Sequence, residues 1–395
     1  MTTATSSPAS ALDAHLDAGA RELLADTERR ASEVFAPLAR RGRDGEVDRA
    51  LLAALAEQGL LARLLSRDAG GWRSEISALA LCLIREGLAR WCTAAETAFA
   101  MQGLGSFPLL QSGTREAIEE WIPRVASGEA AAGFALSEPQ AGSDVAGLAL
   151  SARRDDDAGG WRLNGQKTWI SNAPDADVYS VFARTTPGAG ARGLTAFLVP
   201  GGAEGLIGHR IELVSPHPIG TLVFEDVRVP PEYVLGEVDH GFAVAMRTLD
   251  MFRPSVGAFA VGMARAAIDA TIAYTSEREA FGGPLARMQA VRHRLADVAT
   301  RVQAARLLVH AAASAYDAGV SPTTEAAAMA KLMATEVAQE AVDAAIQLHG
   351  ATALRRGHLL EHLYREVRAP RIYEGASEIQ REIIARAMFA RTEGR

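Results

Sequence analysis

The sequence predicts an α+β multidomain fold, with an N-terminal α-helical domain, a middle antiparallel β-barrel or β-sandwich domain and a C-terminal four-helix bundle. Apolar residues recur at helical spacing towards both ends of the chain. Between them, short runs of β-forming residues alternate with Gly, Pro, Asn and Asp. We place the domains at residues 11–133, 134–245 and 246–395, after a disordered tail at residues 1–10.

The helical domains are identified by the spacing of their apolar residues. In the N-terminal domain, Leu51, Leu52 and Leu55 are followed by Leu60 and Leu61, and a Gly-containing break separates this part from the next helix. In the C-terminal domain the pattern predicts four long helices, and four helices of this length favour an antiparallel bundle. They span residues 255–278, 287–318, 322–350 and 375–391.

The middle domain contains the strand signals. Residues 161–163 and 166–170 flank Asn164-Gly165, which predicts a β-hairpin with a two-residue turn. Further strands are predicted at residues 194–199 and 221–224. The region contains neither a G-x-G-x-x-G sequence after a strand nor a Walker A sequence. Any cofactor that carries phosphate must therefore be held in another way.

Composition narrows the classes of partner and compartment. The chain has 395 residues, 48% hydrophobic and 23% charged, and a net charge of −7, which disfavours a nucleic-acid partner. Cys82 and Cys92 lie in an apolar helical stretch, where we expect buried free thiols. The N-terminus resembles no signal or transit peptide, and no continuous apolar stretch of about 18 residues occurs. We therefore expect a cytoplasmic protein without membrane association.

Two segments near the start of the β domain are candidate ligand sites. FALSEPQAGSD, residues 134–144, places hydroxyl groups beside Gly142, where a ligand can approach the backbone closely. The same composition also fits a linker rich in turn formers. In KTWISN, residues 167–172, Trp169 is either a core aromatic or a ring that stacks on a planar cofactor, with Ser171 as a hydrogen-bond donor.

Two further segments lie in the helical C-terminal domain. In residues 276–289, Arg278 is placed to bind a pyrophosphate, although a solvated arginine at a helix end explains it equally well. HLLEH, residues 358–362, matches the H-x-x-E-H pattern of inverted zinc peptidases. On a helix, His358 and His362 would share one face, but the neighbouring arginines disfavour a metal cation.

RIYEGASEIQ, residues 371–380, places Glu374 just before the last predicted helix. Ser377 and Gln380 have the spacing of a capping box, which predicts that the helix begins there. The positive end of the helix dipole stabilises a carboxylate at this position, so the segment is consistent with a solvated charge. Gly375 removes a side chain beside Glu374, and this leaves space for a ligand.

Together these segments, with QLHGA at residues 347–351, resemble the acyl-CoA dehydrogenase family over nearly the whole chain. The resemblance implies a dehydrogenase that holds FAD noncovalently, with the adenosine half bound across a subunit interface of a homodimer or homotetramer. The residues that it assigns to FAD are Phe134, Leu136, Ser137, Gly142, Ser143, Trp169, Ile170, Ser171, Arg278, Phe281, Gln289, Gln347, Leu348, His349, Gly350, Ala351, Ala376, Ser377 and Glu378.

The resemblance also implies a reaction. Glu374 removes the α-proton of an acyl-CoA thioester, while the β-hydrogen leaves as hydride to flavin N5, and electrons pass to an electron-transfer flavoprotein. Ser143, Asp250, Arg253 and Gly375 are assigned to the substrate. Burial raises the pKa of such a base, and the enolate is stabilised by an oxyanion hole that includes the backbone N–H of Glu374.

Particular positions refine the assignment of the base and of the flavin contacts. Some family members carry the base just before the arginine of LDMFRP, where this chain has Phe252, and this supports Glu374. We expect Phe252 near the acyl chain, which favours a short, branched or cyclic acid. Ser137 and Ser171 stand where relatives often have threonine and keep the hydroxyl, whereas Gln140 and Ala376 also depart from the family pattern.

Four alternatives on related folds remain open from the sequence. An acyl-CoA oxidase or an acyl-carrier-protein-linked dehydrogenase would use the same fold. A nitroalkane-oxidising relative would use aspartate as its base, and Glu374 speaks against it. A DNA-associated flavoprotein of the alkylation-response type is disfavoured by the acidic net charge.

Overall fold

The computed structural model describes residues 11–71, 75–156 and 159–393, and the predicted tail at residues 1–10 lies outside them. It confirms the predicted order of a helical domain, a β domain and a second helical domain. The helices of the first domain are α1 (Ala18–Arg30), α2 (Ala36–Ala39), α3 (Arg49–Glu57), α4 (Ala78–Trp91), α5 (Thr93–Ser112) and α6 (Arg115–Ala126).

Side-chain caps fix where several of these helices begin. The carboxylates of Asp17 and Asp48 accept hydrogen bonds from the third amide of α1 and α3, at 2.7 and 3.0 Å. Ser77 and Thr114 do the same at α4 and α6, at 3.1 and 3.2 Å. Each cap satisfies an amide that the helix itself leaves unpaired.

The β domain is mainly antiparallel, as predicted. Within the described residues, seven of its eight strands follow the order β6-β7-β3-β2-β4-β5-β8. The eighth, β1, pairs with β4 in parallel, which the sequence did not predict. The strands are β1 (Ala132–Ala135), β2 (Ser151–Arg154), β3 (Trp161–Ser171), β4 (Val178–Arg184), β5 (Leu194–Pro200), β6 (Leu206–Arg210), β7 (Ile219–Val229) and β8 (Val234–Leu235).

The predicted hairpin at Asn164-Gly165 is wrong, because both residues lie inside the continuous strand β3. The reversal between β2 and β3 lies upstream, where the N–H of Asp155 donates to the carbonyl of Gly160 at 3.1 Å. The Asn164 side chain instead accepts a hydrogen bond from the N–H of Asp226, at 2.8 Å. Asp226 has a φ of 57° and occupies a register shift on β7, so Asn-Gly faces a bulge.

The second helical domain differs from the prediction at one boundary and by one helix. Its first helix begins at Gly241 rather than at residue 255, because the buried apolar pattern continues upstream of Pro254. A short helix, α10 (Leu359–Val367), which the sequence did not predict, precedes the segment that carries Glu374. The elements are α7 (Gly241–Glu277), β9 (Glu279–Ala280), β10 (Gly283–Pro284), α8 (Gln289–Asp317), α9 (Thr324–His349), α10 (Leu359–Val367) and α11 (Ser377–Glu393).

Helix α7 lies at the centre of the molecule. It packs against α4, α8 and α9, so the two helical domains share one hydrophobic core. By length and composition alone, α7 could cross a membrane, but 67% of its most apolar stretch is buried inside the protein, as expected of a core helix. Cys82 and Cys92 are buried free thiols, as predicted.

Candidate active site

A cavity of about 860 Å³ separates the β domain from the surrounding helices. The β domain contributes the loop after β1 and the end of β3, while α4, α5, α7 and the segment around α10 and α11 form the helical walls. Eleven of the predicted site residues line it: Phe134, Leu136, Ser137, Gly142, Ser143, Trp169, Ile170, Ser171, Arg253, Glu374 and Gly375.

A buried ion pair positions the loop that follows β1. Lys167 and Glu138 are 0% and 1% exposed, and the ammonium donates to the carboxylate at 2.7 Å and to the carbonyl of Leu136 at 2.8 Å. The Glu138 carboxylate also accepts from the backbone amides of Ala149 and Leu150, at 2.7 and 2.9 Å. The loop is therefore tied to both neighbouring strands. The sequence analysis assigned no role to this pair.

Gln140, one of the departures from the family pattern, belongs to the same loop. Its side-chain amide donates to the Glu138 carboxylate at 2.6 Å. The hydroxyls of Ser137 and Ser143, in contrast, line the cavity and make no hydrogen bond to the described residues. These two groups are thus available to a bound molecule.

Trp169 forms the wall of the cavity that β3 supplies. A bulge between Lys167 and Ile170 gives Trp169 a φ of 59° and leaves its side chain 56% exposed, so it is not the core aromatic that the sequence left open. Ser171 shares a hydrogen bond of 2.7 Å with Nε2 of His217. Burial lowers the pKa of His217 to about 4, so its imidazole is neutral at physiological pH.

The cavity fits a planar redox cofactor such as FAD. Trp169 presents an exposed aromatic face, and Ser137 and Ser143 present unpaired hydroxyls. Trp169, Ile170 and the neutral pair of Ser171 with His217 complete a wall without formal charge. Such a wall suits an uncharged heterocycle that stacks and hydrogen-bonds along its edges.

Hydrogen bonds from two side chains to its backbone carbonyls hold the loop that carries Glu374. Lys331, which is fully buried, donates to the carbonyl of Gly375 at 2.7 Å. The side-chain amide of Gln380 donates to the carbonyls of Glu374 and Gly375 at 3.2 and 2.9 Å. Glu374 has a φ of 51°, a conformation that is uncommon for a residue other than glycine and that clusters at functional sites.

The predicted capping box is therefore wrong. Ala376, not Ser377, supplies the carbonyl that accepts the first helical bond, from the N–H of Gln380 at 3.0 Å. The Ser377 hydroxyl donates to Glu336 at 2.6 Å, and the Gln380 side chain binds the loop carbonyls instead of capping the helix. The S-x-x-Q spacing is that of a capping box, but Glu336 lies close enough to accept the hydrogen bond of the Ser377 hydroxyl.

The carboxyl of Glu374 is suited to general base chemistry. Its Oε2 atom is buried and has no hydrogen-bond partner among the described residues. Burial raises the pKa of Glu374, and the charges of Arg85, Lys331 and Arg253 partly oppose that increase. A carboxylate that has a raised pKa and no hydrogen bond is a stronger base than a solvated one. Its own backbone N–H donates no hydrogen bond to the described residues.

Asp250 and Arg253 form a pair on α7. Nη1 of Arg253 donates to Asp250 at 2.9 Å, and the hydroxyl of Thr324 donates to the other carboxylate oxygen, also at 2.9 Å. Arg253 lines the cavity, whereas Asp250 does not. Phe252 is also absent from the cavity wall: it is 1% exposed and packs on Phe107, so the expectation that it contacts the acyl chain is wrong.

The remaining residues predicted to bind FAD lie outside this cavity. Arg278 follows α7 as its C-cap residue, and Phe281 is 93% exposed in the β9–β10 turn. The hydroxyl of Tyr274 donates to the carbonyl of His349 at 3.3 Å, which brings the ends of α7 and α9 together. The residues that were predicted to bind FAD or substrate and do not line the cavity are Arg278, Phe281, Gln289, Gln347, Leu348, His349, Gly350, Ala351, Asp250, Ala376, Ser377 and Glu378. The role of many of these residues across a subunit interface stays a prediction.

The geometry of HLLEH does not match a shared zinc site. His358 precedes α10 and accepts a hydrogen bond from the N–H of Leu360, at 3.1 Å, so it is not on the helix with His362. His362 instead shares a hydrogen bond of 2.7 Å with Thr93. Across the described residues, no group of three or more potential ligands is close enough for a metal ion.

Four polar residues on the helical walls were missed by the sequence analysis. Arg85, Glu96, Glu366 and Tyr373 line the same cavity as Glu374. They lie on α4, α5, α10 and the loop before α11, and only the fold brings them together. Burial raises the pKa of both Glu96 and Glu366 to about 7. The sequence offered no spacing signal for this group, because its members are far apart along the chain.

Comparison with known proteins identifies the class of protein that this fold and cavity define. Three models of acyl-CoA dehydrogenase domains match the chain: the N-terminal domain at residues 18–129, the middle domain at 133–227 and the C-terminal domain at 239–389. The chain therefore belongs to the acyl-CoA dehydrogenase family and is an oxidoreductase of that family.

The curated relatives have names of the same class. Cyclohexane-1-carbonyl-CoA dehydrogenase of Geobacter metallireducens is 37% identical over 348 residues, which are 87% of this chain and 90% of the relative. The mitochondrial short-chain specific acyl-CoA dehydrogenase of Bos taurus is 37% identical over 359 residues, or 89% of this chain and 85% of the relative. Membership therefore rests on nearly the full length of both proteins.

Solved structures share the fold at similar coverage. Butyryl-CoA dehydrogenase from Megasphaera elsdenii aligns with a TM-score of 0.89 and 32% identity, covering 95% of this chain and 99% of that one. A chain in the structure of the electron transferring flavoprotein of Acidaminococcus fermentans aligns with a TM-score of 0.89 and 32% identity, covering 94% of this chain and 98% of that one. A glutaryl-CoA dehydrogenase from Mycobacterium smegmatis, solved with FADH2, aligns with a TM-score of 0.86 and 27% identity, covering 94% of this chain and 95% of that one. The predicted cofactor, FAD, is confirmed at the level of the family.

Proposed function

We propose that this protein oxidises an acyl-CoA thioester to the trans-2-enoyl-CoA, with Glu374 as the base that removes the α-proton. One observation carries the proposal: the Glu374 carboxyl lines the cavity with a buried Oε2 atom that has no hydrogen-bond partner among the described residues. A reacting C–H group provides no hydrogen bond in the ground state. An unpaired carboxylate oxygen is therefore the arrangement that proton abstraction from carbon requires.

The chain also supplies a donor for the thioester oxygen. The backbone N–H of Glu374 makes no hydrogen bond to the described residues. Lys331 and Gln380 fix the carbonyls of this loop, so the direction of the neighbouring N–H is set before substrate binds. A preorganised donor of this kind stabilises the negative charge that develops as the α-proton leaves. FAD, when bound, supplies the acceptor for the β-hydride.

The proposal is tested by anaerobic titration of the purified yellow protein with acyl-CoA thioesters. The names of the relatives suggest a panel of butyryl-CoA, cyclohexane-1-carbonyl-CoA and glutaryl-CoA. We expect at least one CoA thioester to bleach the visible flavin band in a stoichiometric way. Retention of the band with straight-chain, cyclic and dicarboxylic thioesters alike would contradict the proposal.

We further propose that an electron-transfer flavoprotein accepts the electrons, because a relative named as a caffeyl-CoA reductase–Etf complex subunit is 36% identical to this chain. After anaerobic reduction, electron-transfer flavoprotein should reoxidise the protein faster than air-saturated buffer does. Faster reoxidation by oxygen would instead favour the oxidase alternative. A homodimer or homotetramer and a cytoplasmic location are part of the same proposal, and light scattering of the purified protein measures the first.

A further inference from the structure

The cavity contains a charged group that removal of an α-proton does not require. Arg85 and Glu96 form an ion pair on its helical wall, and their side chains are 2% and 1% exposed. Nη1 of Arg85 also donates to the hydroxyl of Ser255, at 2.6 Å. Burial of an ion pair is costly and often stabilises a fold less than apolar residues would. Stability therefore does not explain why this pair faces a ligand cavity.

Glu366 lacks the partner that the other charged residues have. It is 8% exposed and lines the cavity, yet its carboxyl makes no hydrogen bond or ion pair with any described residue. Burial raises its pKa to about 7, and repulsion from Glu96 contributes to that increase. Buried polar groups are normally hydrogen-bonded, so an unpaired carboxyl at a cavity wall indicates a missing ligand group.

The surrounding wall narrows the chemistry of that group. The helical wall also carries apolar side chains from α5 and α7, with Met101, Leu104 and Phe259 among them. Within this group two carboxyls face one guanidinium, which already binds Glu96, so a carboxylate on the ligand would find no free cation there. A hydrocarbon would leave Glu366 unpaired. A hydroxyl group both donates and accepts hydrogen bonds and carries no charge.

We propose that Arg85, Glu96 and Glu366 form a subsite for a hydroxyl group on the acyl chain, with Glu366 accepting its hydrogen bond. The inference rests on the proposed function, because it takes an acyl thioester as the ligand of the cavity. Tyr373, whose phenol lies beside these groups in the same wall, is a second candidate partner for the hydroxyl oxygen. The substrate class is thus a hydroxylated acyl group.

Binding to the Glu374→Gln variant tests the subsite apart from the reaction, because this variant lacks the base. Isothermal calorimetry compares hexanoyl-CoA, its terminally hydroxylated analogue and the CoA thioester of the dicarboxylic acid of equal length. We expect the hydroxylated ligand to bind about tenfold more tightly than hexanoyl-CoA, as one or two added hydrogen bonds would give, and the dicarboxylic ligand to bind most weakly. Equal or tighter binding of hexanoyl-CoA would overturn the inference.

Substitutions of Glu366 assign the preference to that residue. In the Glu374→Gln background, Glu366→Leu should abolish the preference for the hydroxylated ligand, whereas Glu366→Gln should keep most of it and weaken the discrimination against the dicarboxylic ligand. Glu361→Gln, on the same helix and paired with Arg365, is the matched control and should leave all three affinities unchanged. An unchanged preference in Glu366→Leu would refute the role of Glu366.

The two proposals can fail separately. If the hydroxylated ligand binds preferentially but no thioester reduces the wild-type flavin, the proposed reaction fails and the subsite stands. If thioesters reduce the flavin but hydroxylation brings no gain in affinity, the subsite fails and the reaction stands.

Discussion

Lys331 lies beneath the loop that carries Glu374, and replacing it with methionine tests how the fold sets the pKa of the base. Its ammonium is fully buried and donates to the carbonyl of Gly375 at 2.7 Å. It is one of three cations, with Arg85 and Arg253, that oppose the burial-driven rise in the pKa of Glu374. Methionine has a similar volume without the charge, so Lys331→Met removes mainly the electrostatic contribution.

The size of the effect follows from the loss of one nearby cation. An opposite charge within about 4–6 Å lowers a carboxyl pKa by about 1–3 units. Burial lowers the pKa of Lys331 itself to about 8, so its charge is already partly lost in mildly alkaline solution. We therefore take the lower end and expect the pKa of Glu374 to rise by about one unit, equivalent to about 1.4 kcal/mol.

The sign of the change is fixed by the role of Glu374. A higher pKa leaves less of the carboxylate form at a given pH below it, so the acidic limb of the pH–rate profile moves to higher pH and the rate on that limb falls about tenfold. Stopped-flow measurement of flavin reduction, at saturating substrate under anaerobic conditions, gives the profile. Above the new pKa the rate should return towards that of the wild type.

Arg381→Met is the matched control, because Arg381 is a half-exposed cation near the same loop that pairs with Glu336 and Glu378. It should leave the limb in place. The free energy of global unfolding should change by less than about 1 kcal/mol in Lys331→Met, since Gln380 still binds the Gly375 carbonyl. A limb that stays in place, or that moves to lower pH, would refute the claim that the charge of Lys331 lowers the pKa of Glu374.

Three further predictions concern stability and cofactor retention. Lys167→Met removes the cation that pairs with the buried carboxylate of Glu138 and should destabilise the protein by about 3–5 kcal/mol, measured as a lower urea midpoint; adding Glu138→Gln should restore part of the loss. Glu366→Gln removes a carboxyl whose pKa in the folded state is raised to about 7. As pH rises from 4.5 to about 7, the unfolded wild type releases this proton more readily than the folded one, so the wild type loses up to about 3 kcal/mol of stability relative to the variant. A difference in unfolding free energy between wild type and variant that is the same near pH 5 and near pH 8 would contradict this. Trp169→Ala should weaken FAD retention by about tenfold, read from flavin fluorescence after dilution, and unchanged retention would show that the exposed ring does not contact the flavin.

Features that depend on local sequence were predictable. Helical spacing located α8, α9 and α11 to within about two residues at their predicted ends, and β-forming runs located β5 and β7. The Asn-Gly hairpin failed because a partner strand, not the local pair, decided the turn: Asn164 binds Asp226 on β7. The S-x-x-Q cap failed in the same way, through Glu336 on α9.

In the candidate site, too, local segments were predictable from the sequence, whereas contacts between distant residues were not. Segments 134–144, 167–172 and 371–375 were recognised from their own residues, and the fold brings all three to one cavity. Lys331, which the sequence did not single out, is 43 positions before Glu374 in the printed sequence and reaches it only because α9 packs on α11. Arg85, Glu96 and Glu366 came from three helices, and no spacing along the chain marks such a group.

The central claim is that Glu374 removes the α-proton while the flavin accepts the hydride, and single-turnover flavin reduction in Glu374→Gln tests it most directly. Glutamine has nearly the same shape and cannot accept the proton. The account predicts that the variant is purified with its yellow flavin, binds the same acyl-CoA thioester and reduces its flavin at least a hundredfold more slowly than the wild type. Reduction at the wild-type rate in a flavin-loaded variant would contradict the account.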